Sequence, residues 1–172
     1  MGLRRLGRTR LLVAGRLFLD ANVPTYAAGR DHPLKEPCME VLHLAARHPR
    51  AFFTDAEVLQ EMLHRYLSIR RWPEGKRVVL DFAALMSGSI EPVTAGDAVR
   101  ACGLADKYAA GPGARLAARD LLHAAVILRT EDLPARIVTA DGDFDELAAE
   151  GAERLDPAEI AVWRSEVEID RA

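Results

Sequence analysis

Cysteine is nearly absent: Cys38 and Cys102 are the only two in 172 residues, and they stand far apart. That excludes a disulfide framework and points to reduced thiols in a reducing compartment, so the chain is expected in the cytoplasm. No apolar run approaches the ~20 residues needed to cross a bilayer, so no membrane partner is expected. The stretch Leu11–Gly15 between N-terminal arginines is too short for a secretory core of roughly 7–15 residues. Internal repeats, low-complexity tracts and a Ser/Gly linker are all missing, which leaves nothing to divide two domains. Zinc spacings are absent as well: His43, His48 and His64 form no H-E-x-x-H pattern and no Cys-x-x-Cys accompanies them. There is no P-loop and no G-x-S-x-G elbow. What is present, 49% hydrophobic and 28% charged residues, suffices for one globular domain with a proper core.

Charge is unevenly spread. Residues 1–16 hold Arg4, Arg5, Arg8, Arg10 and Arg16 and no acid. The rest of the chain carries 18 basic against 26 acidic side chains, a balance of -8 within an overall -3. A body so acidic binds nucleic acid poorly unless its acids are gathered in one place and neutralised there, for instance by metal ions. Asp20, Glu61, Asp120, Asp141 and Asp143 decide the matter, since without them the body falls to -3.

Short apolar runs alternate with helical periodicity. Leu17-Phe18-Leu19, Phe52-Phe53, Ser89–Val93, Ile137-Val138-Thr139 and Leu155 read as strands. A loop with breakers Pro24, Gly29 and Pro33 is expected after the first strand. Helices are expected over about 36–47, from a Thr54/Glu57 capping box to Ser68, from Pro73 to Met86, from Thr94 to Tyr108, over 116–129, and from Asp156 to Glu168. A short helix to Ala149 follows the acidic turn. The pattern implies a three-layer α/β/α sandwich around a parallel sheet of four or five strands. The expected organisation is a basic tail over 1–16, a domain over 17–157, and a C-terminal helix and tail over 158–172.

In such a sheet ligands bind beyond the carboxyl ends of the strands. Asp20 ends the first strand and Asp141 follows the Ile137–Thr139 strand, so acids from remote segments can gather in one cleft, which hard, oxygen-loving Mg²⁺ or Mn²⁺ would neutralise. Asp120 lies on a helix that is apolar almost all the way round, on the face of Ala124 and Ile127. An unpaired carboxylate there is costly; it either serves a site, pairs with Arg115, Arg119 or His123, or sits near the helix start. Asp20 reads equally as a turn residue, and Asn22 supports either a turn or a metal-bound water. Counted from Asp141, a calcium loop would need glycine and glutamate where Glu146 and Ala152 stand, so that reading fails. Capping by Asp143 with Glu146 is the rival, and leaves Asp141 free. Glu61 lies away from the apolar face of Val58, Leu59, Met62, Leu63 and Tyr66, so periodicity makes it a surface acid and Glu57 a substitute.

Four segments in order, Leu17-Phe18-Leu19-Asp20-Ala21-Asn22, Leu59-Gln60-Glu61-Met62-Leu63, Asp120-Leu121-Leu122-His123-Ala124-Ala125 and Thr139-Ala140-Asp141-Gly142-Asp143-Phe144, resemble the PIN-domain family of metal-dependent ribonucleases. The likeness is strongest to VapC-type toxins of bacterial toxin–antitoxin pairs. The resemblance implies that Asp20, Glu61, Asp120 and Asp141 hold Mg²⁺ or Mn²⁺, with Asp143 as an auxiliary acid and Thr139 orienting a metal-bound water. It is the resemblance, not periodicity, that promotes Glu61. It further implies an RNA substrate, an antitoxin partner and a homodimer. Arg115 and Arg119 read equally as phosphate contacts and as surface arginines. Sixteen residues precede Leu17, more than the family usually has, which reads as a miscalled start or a basic arm that contacts RNA. A non-toxin nuclease of RNA maturation and a silent RNA- or protein-binding module remain the alternatives.

Overall fold

The computed structural model describes residues 15–131 and 134–169; most of the basic tail lies outside them. Five parallel strands form one sheet: β1 (Leu17–Leu19), β2 (Phe52–Asp55), β3 (Ile90–Glu91), β4 (Ala135–Val138) and β5 (Ala152–Leu155). Their spatial order is β3-β2-β1-β4-β5. Leu17 pairs with Phe52 on one side and Arg136 on the other, so the order reverses beside β1. Right-handed crossovers then place the connections before and after the reversal on opposite faces, and the loops beyond β1 and β4 diverge to leave a crevice. Burial on both faces explains the unbroken apolar strands: Leu17, Phe18, Leu19, Phe52, Phe53, Ile137 and Val138 are all buried.

Among the described residues seven α-helices cover the sheet: α1 (Asn22–Ala28), α2 (Lys35–Arg47), α3 (Ala56–Ser68), α4 (Trp72–Leu85), α5 (Ala95–Tyr108), α6 (Ala118–Thr130) and α7 (Ile160–Ile169). Among the described residues no helix is long and apolar enough to cross a membrane. The expected capping of α5 is present, with Thr94 and Asp97 bonding reciprocally. Asp97 also accepts from Arg129 Nε at 2.8 Å, which ties α5 to α6. Helix α7 belongs to the same core through Ile160, Trp163 and Val167, and Trp163 Nε1 donates to the Asp156 carbonyl.

The local reading fails at three places. The expected loop after β1 is largely helix α1; Pro24 is its third residue, where a missing N–H costs no internal bond. The cap of α3 is Asp55, not Thr54: Asp55 Oδ1 accepts from Val58 N at 2.9 Å. Thr54 stays inside β2 and donates to the Leu19 carbonyl of β1, because a buried hydroxyl between strands needs a partner more than the helix end needs a second cap. Third, the acidic turn opens a run of 3-10 helix over Gly142–Glu150, and its cap is Asp141, which accepts from Asp143 N at 2.9 Å.

Gly75, in the first turn of α4, is buried where that helix crosses α3, and a Cβ there would overlap the Tyr66 side chain. Gly75→Ala should therefore lower stability by about 1–3 kcal/mol in urea unfolding, despite alanine's better helix propensity. An unchanged or raised midpoint would show that Tyr66 can yield.

Candidate metal centre

Near the reversal, Asp20 after β1 and Glu61 on α3 approach each other and His123 on α6. Asp20, immediately after β1, is buried at 6% exposure. Its Oδ1 accepts from Ala21 N at 2.6 Å, and its Oδ2 accepts from Thr139 Oγ1 at 2.6 Å and from Asn22 Nδ2 at 2.5 Å. Thr139, at the end of β4, accepts in turn from Asp141 N at 3.0 Å and from Asn22 Nδ2 at 2.6 Å. Asn22 Oδ1 accepts from Ala140 N. Asn22 and Thr139 thus stitch the ends of β1 and β4 together and aim the Asp20 carboxylate, with no metal ligation needed to explain either.

Glu61 comes from the second turn of α3, half-buried rather than on an open surface. One oxygen lies 3.8 Å from Arg119 and the other 3.8 Å from His123 Nε2. Asp120 sits three residues after the Ala117 cap of α6, where its Oδ2 accepts from Ala117 N at 2.6 Å. Its place near the helix start and its place in the crevice are therefore one and the same. Asp141 is exposed at the rim, yet its charge and that of Glu61 reach Asp120. Asp143 is turned elsewhere, into an ion pair with Arg115 at 3.2 Å, and Arg115 also holds Glu146. The structure therefore gathers Asp20 and Glu61 about His123, sets Asp120 where the charges of Asp141 and Glu61 raise it, keeps Asn22 and Thr139 as supports of Asp20, and engages Asp143 and Arg115 with each other.

Two residues that sequence reasoning did not promote stand behind this cluster. His123 lies one helical turn beyond Asp120 on α6 and is 1% exposed. Its Nδ1 is 2.8 Å from Oδ2 of Asp55, itself fully buried. Its Nε2 is buried with no hydrogen-bond partner. One ligand atom each from Asp20, Glu61 and His123 lie within 4.8 Å of one another. The spacing of three between Asp120 and His123 was the available signal; the partner Asp55 was hidden because either Thr54 or Asp55 could cap α3.

The electrostatics are those of crowded like charge. Burial pushes the Asp20 carboxyl up to about 6, with the Glu61 charge adding to the rise while His123 and the Thr139 hydroxyl oppose it. Burial also raises Asp120, against the bond from Ala117 N. The neighbouring imidazole holds Glu61 below its ordinary value. Burial alone would lower His123, but the Asp55 and Glu61 carboxylates outweigh it and push the imidazole up to about 10. Without another cation, a proton on His123 is what neutralises the crevice.

Comparison with known proteins agrees with this fold. The PIN domain family matches residues 17–150. Ribonuclease VapC23 of Mycobacterium tuberculosis is 39% identical over 116 residues, 66% of this chain and 84% of the relative. Ribonuclease VapC13 of the same species is 33% identical over 129 residues, 75% and 92%. Among solved structures, FitAcB from Neisseria gonorrhoeae superposes with a TM-score of 0.60 at 22% identity, over 82% of this chain and 97% of that one.

A carboxyl with a raised folded pKa binds its proton more tightly in the fold than out of it. Its contribution therefore favours folding below the unfolded value near 3.8 and is lost as pH rises through about 6. In EDTA, Asp20→Asn should gain stability relative to the parent between about pH 4 and pH 7, by up to about 3 kcal/mol. Parallel pH profiles in thermal unfolding would show that Asp20 bears no such strain.

Proposed function

The chain belongs to the PIN domain family, and from that premise we propose that it is a metal-dependent endoribonuclease, the toxin of a VapBC-type toxin–antitoxin pair. It hydrolyses RNA phosphodiester bonds. The observation that supports the reading is the gathering of Asp20 and Glu61 around a buried imidazole nitrogen that has no partner among the described residues, with Asp120 close enough to feel the charges of Glu61 and Asp141. Carboxylate oxygens are the donors that Mg²⁺ and Mn²⁺ prefer, and a crevice that lifts Asp20 to about 6 is one that a cation stabilises. These four acids would hold the ion. Once bound, it would supply the charge that polarises a phosphoryl oxygen and brings a water's pKa toward neutrality.

The protein's own groups do the rest. Thr139 and Asn22 fix the Asp20 carboxylate so that one oxygen arrangement faces the crevice. Asp141 at the exposed rim can accept a proton from attacking water, since its backbone is anchored through Thr139 while its side chain faces solvent. Arg119, 43% exposed at the mouth, is placed to meet a phosphate. Arg115 is committed to Asp143 and Glu146 and serves the rim's shape instead. The reading places the catalytic domain over 17–157, with 158–172 as a C-terminal helix and tail and 1–16 as a basic arm for RNA.

An antitoxin segment would fit the half-apolar groove between α1, α2 and α4, lined by Pro24, Ala27, Met39, Leu42, Val78 and Leu85. The exposed Leu63 and Leu67 of α3 and Leu80 of α4 offer an apolar face for a second copy of the chain.

Asp120→Asn keeps the acceptor for Ala117 N and removes one charge. Cleavage of a structured RNA in Mg²⁺ should fall at least 100-fold while circular dichroism and unfolding temperature hold. Arrest of growth on overproduction should require intact Asp20. Full cleavage by the folded Asp120→Asn protein would refute the assignment, and cleavage without growth arrest would favour RNA maturation.

A further inference from the structure

The orphaned atom at the back of the crevice has no structural explanation. His123 Nε2 is buried, has no hydrogen-bond partner among the described residues, and lies 3.8 Å from Glu61 Oε2, beyond hydrogen-bond reach. A buried polar atom left in this way is costly unless something absent from the protein itself engages it. The other ring nitrogen is settled. Asp55 Oδ1 accepts from Val58 N and Oδ2 lies 2.8 Å from Nδ1; an ionised carboxylate only accepts, so Nδ1 carries a proton. The ring is thereby fixed with Nε2 aimed into the cluster of Asp20 and Glu61.

We infer that His123 is a nitrogen ligand of the divalent cation held by the carboxylates, with Asp55 as the positioning residue that fixes its tautomer. The inference rests on the metal centre proposed above and adds to it a donor of a different kind. Donor atoms of Asp20, Glu61 and His123 lie within 4.8 Å of one another. Donors of one octahedral ion stand between about 3 and about 4.2 Å apart, so the three lie near the span of a single ion and must draw slightly together on it. A carboxylate behind the imidazole is the arrangement that orients metal-binding histidines and raises their basicity. Ligation needs the neutral ring with Nδ1 protonated and Nε2 free, the tautomer that Asp55 selects. One nitrogen among oxygens also shifts preference from Mg²⁺ toward transition metals.

Manganese is the probe. The full chain, prepared with ¹⁵N-histidine and with natural histidine, is loaded with Mn²⁺ and its electron spin echo modulation recorded. A nitrogen coupling that changes with the isotope, and that vanishes in His123→Gln while Mn²⁺ still binds, supports the inference. In Asp55→Asn the amide oxygen can still cap Val58, leaving Nδ2 to donate to Nδ1 and forcing the proton onto Nε2. That variant should bind Mn²⁺ 10–100-fold more weakly in calorimetry, with the ratio of Mn²⁺ to Mg²⁺ affinity lowered. Mn²⁺ bound in an Asp20-dependent manner without histidine coupling would overturn nitrogen ligation and leave the carboxylate centre standing. No Asp20-dependent Mn²⁺ binding would overturn both. Should His123→Gln fail to fold, the isotope comparison is repeated in Asp55→Asn, where a lost or weakened histidine coupling supports the inference and an unchanged one overturns it.

Discussion

Gathering negative charge at one sheet edge, partly out of water, is what the rest of this structure has to accommodate. Two carboxylates a few ångströms apart repel, and burial removes the water that would screen them. Asp20 registers the cost most directly, because its carboxyl is driven up to about 6 although it accepts three short hydrogen bonds. Such a cluster persists only if the surrounding fold holds it firmly and a cation is available to answer it.

The fold answers in two ways. Rigid support comes from Thr139 and Asn22, which join the ends of β1 and β4 across 119 and 117 residues of sequence. Charge is answered by His123, whose imidazolium is sustained by Asp55 behind it and by Glu61 and Asp20 in front. The cluster thereby has an internal cation, and the buried pair of Asp55 and His123 holds the ring in place. Capping couples this to the helices. Asp55 closes the N-terminus of α3, which carries Glu61, and Asp120 closes that of α6, which carries His123. Asp55 thus serves a helix start through one oxygen and His123 through the other, so a small shift of α3 would be felt at His123.

Much of the architecture could be read locally. Continuous apolar strands separated by capped helices imply a covered parallel sheet, and Thr94 with Asp97 marked a helix start correctly. Errors arose where two local preferences competed. Pro24 suggested a breaker, yet a proline in a first turn leaves the helix intact. Thr54 and Asp55 were both fit to cap α3, and only the need of the Thr54 hydroxyl for a partner inside the sheet assigned the role to Asp55. Glu61 was legible only through family resemblance, because its neighbours on the helix say surface while the residues it meets come from α6.

The pattern of apolar runs, helix caps and acids determined by itself that this protein is an α/β sandwich with carboxylates at strand ends, since these depend on residue periodicity and side-chain chemistry within a few positions. Which acids share a crevice was decided by tertiary structure alone. Strand order reverses between β1 and β4 only once the crossovers have chosen their faces, and that choice sets Asp20 beside Thr139 and Glu61 beside His123. Asp143, two residues from Asp141, is drawn instead to Arg115. Coulomb interaction depends on distance through space, and no spacing along the chain encodes it.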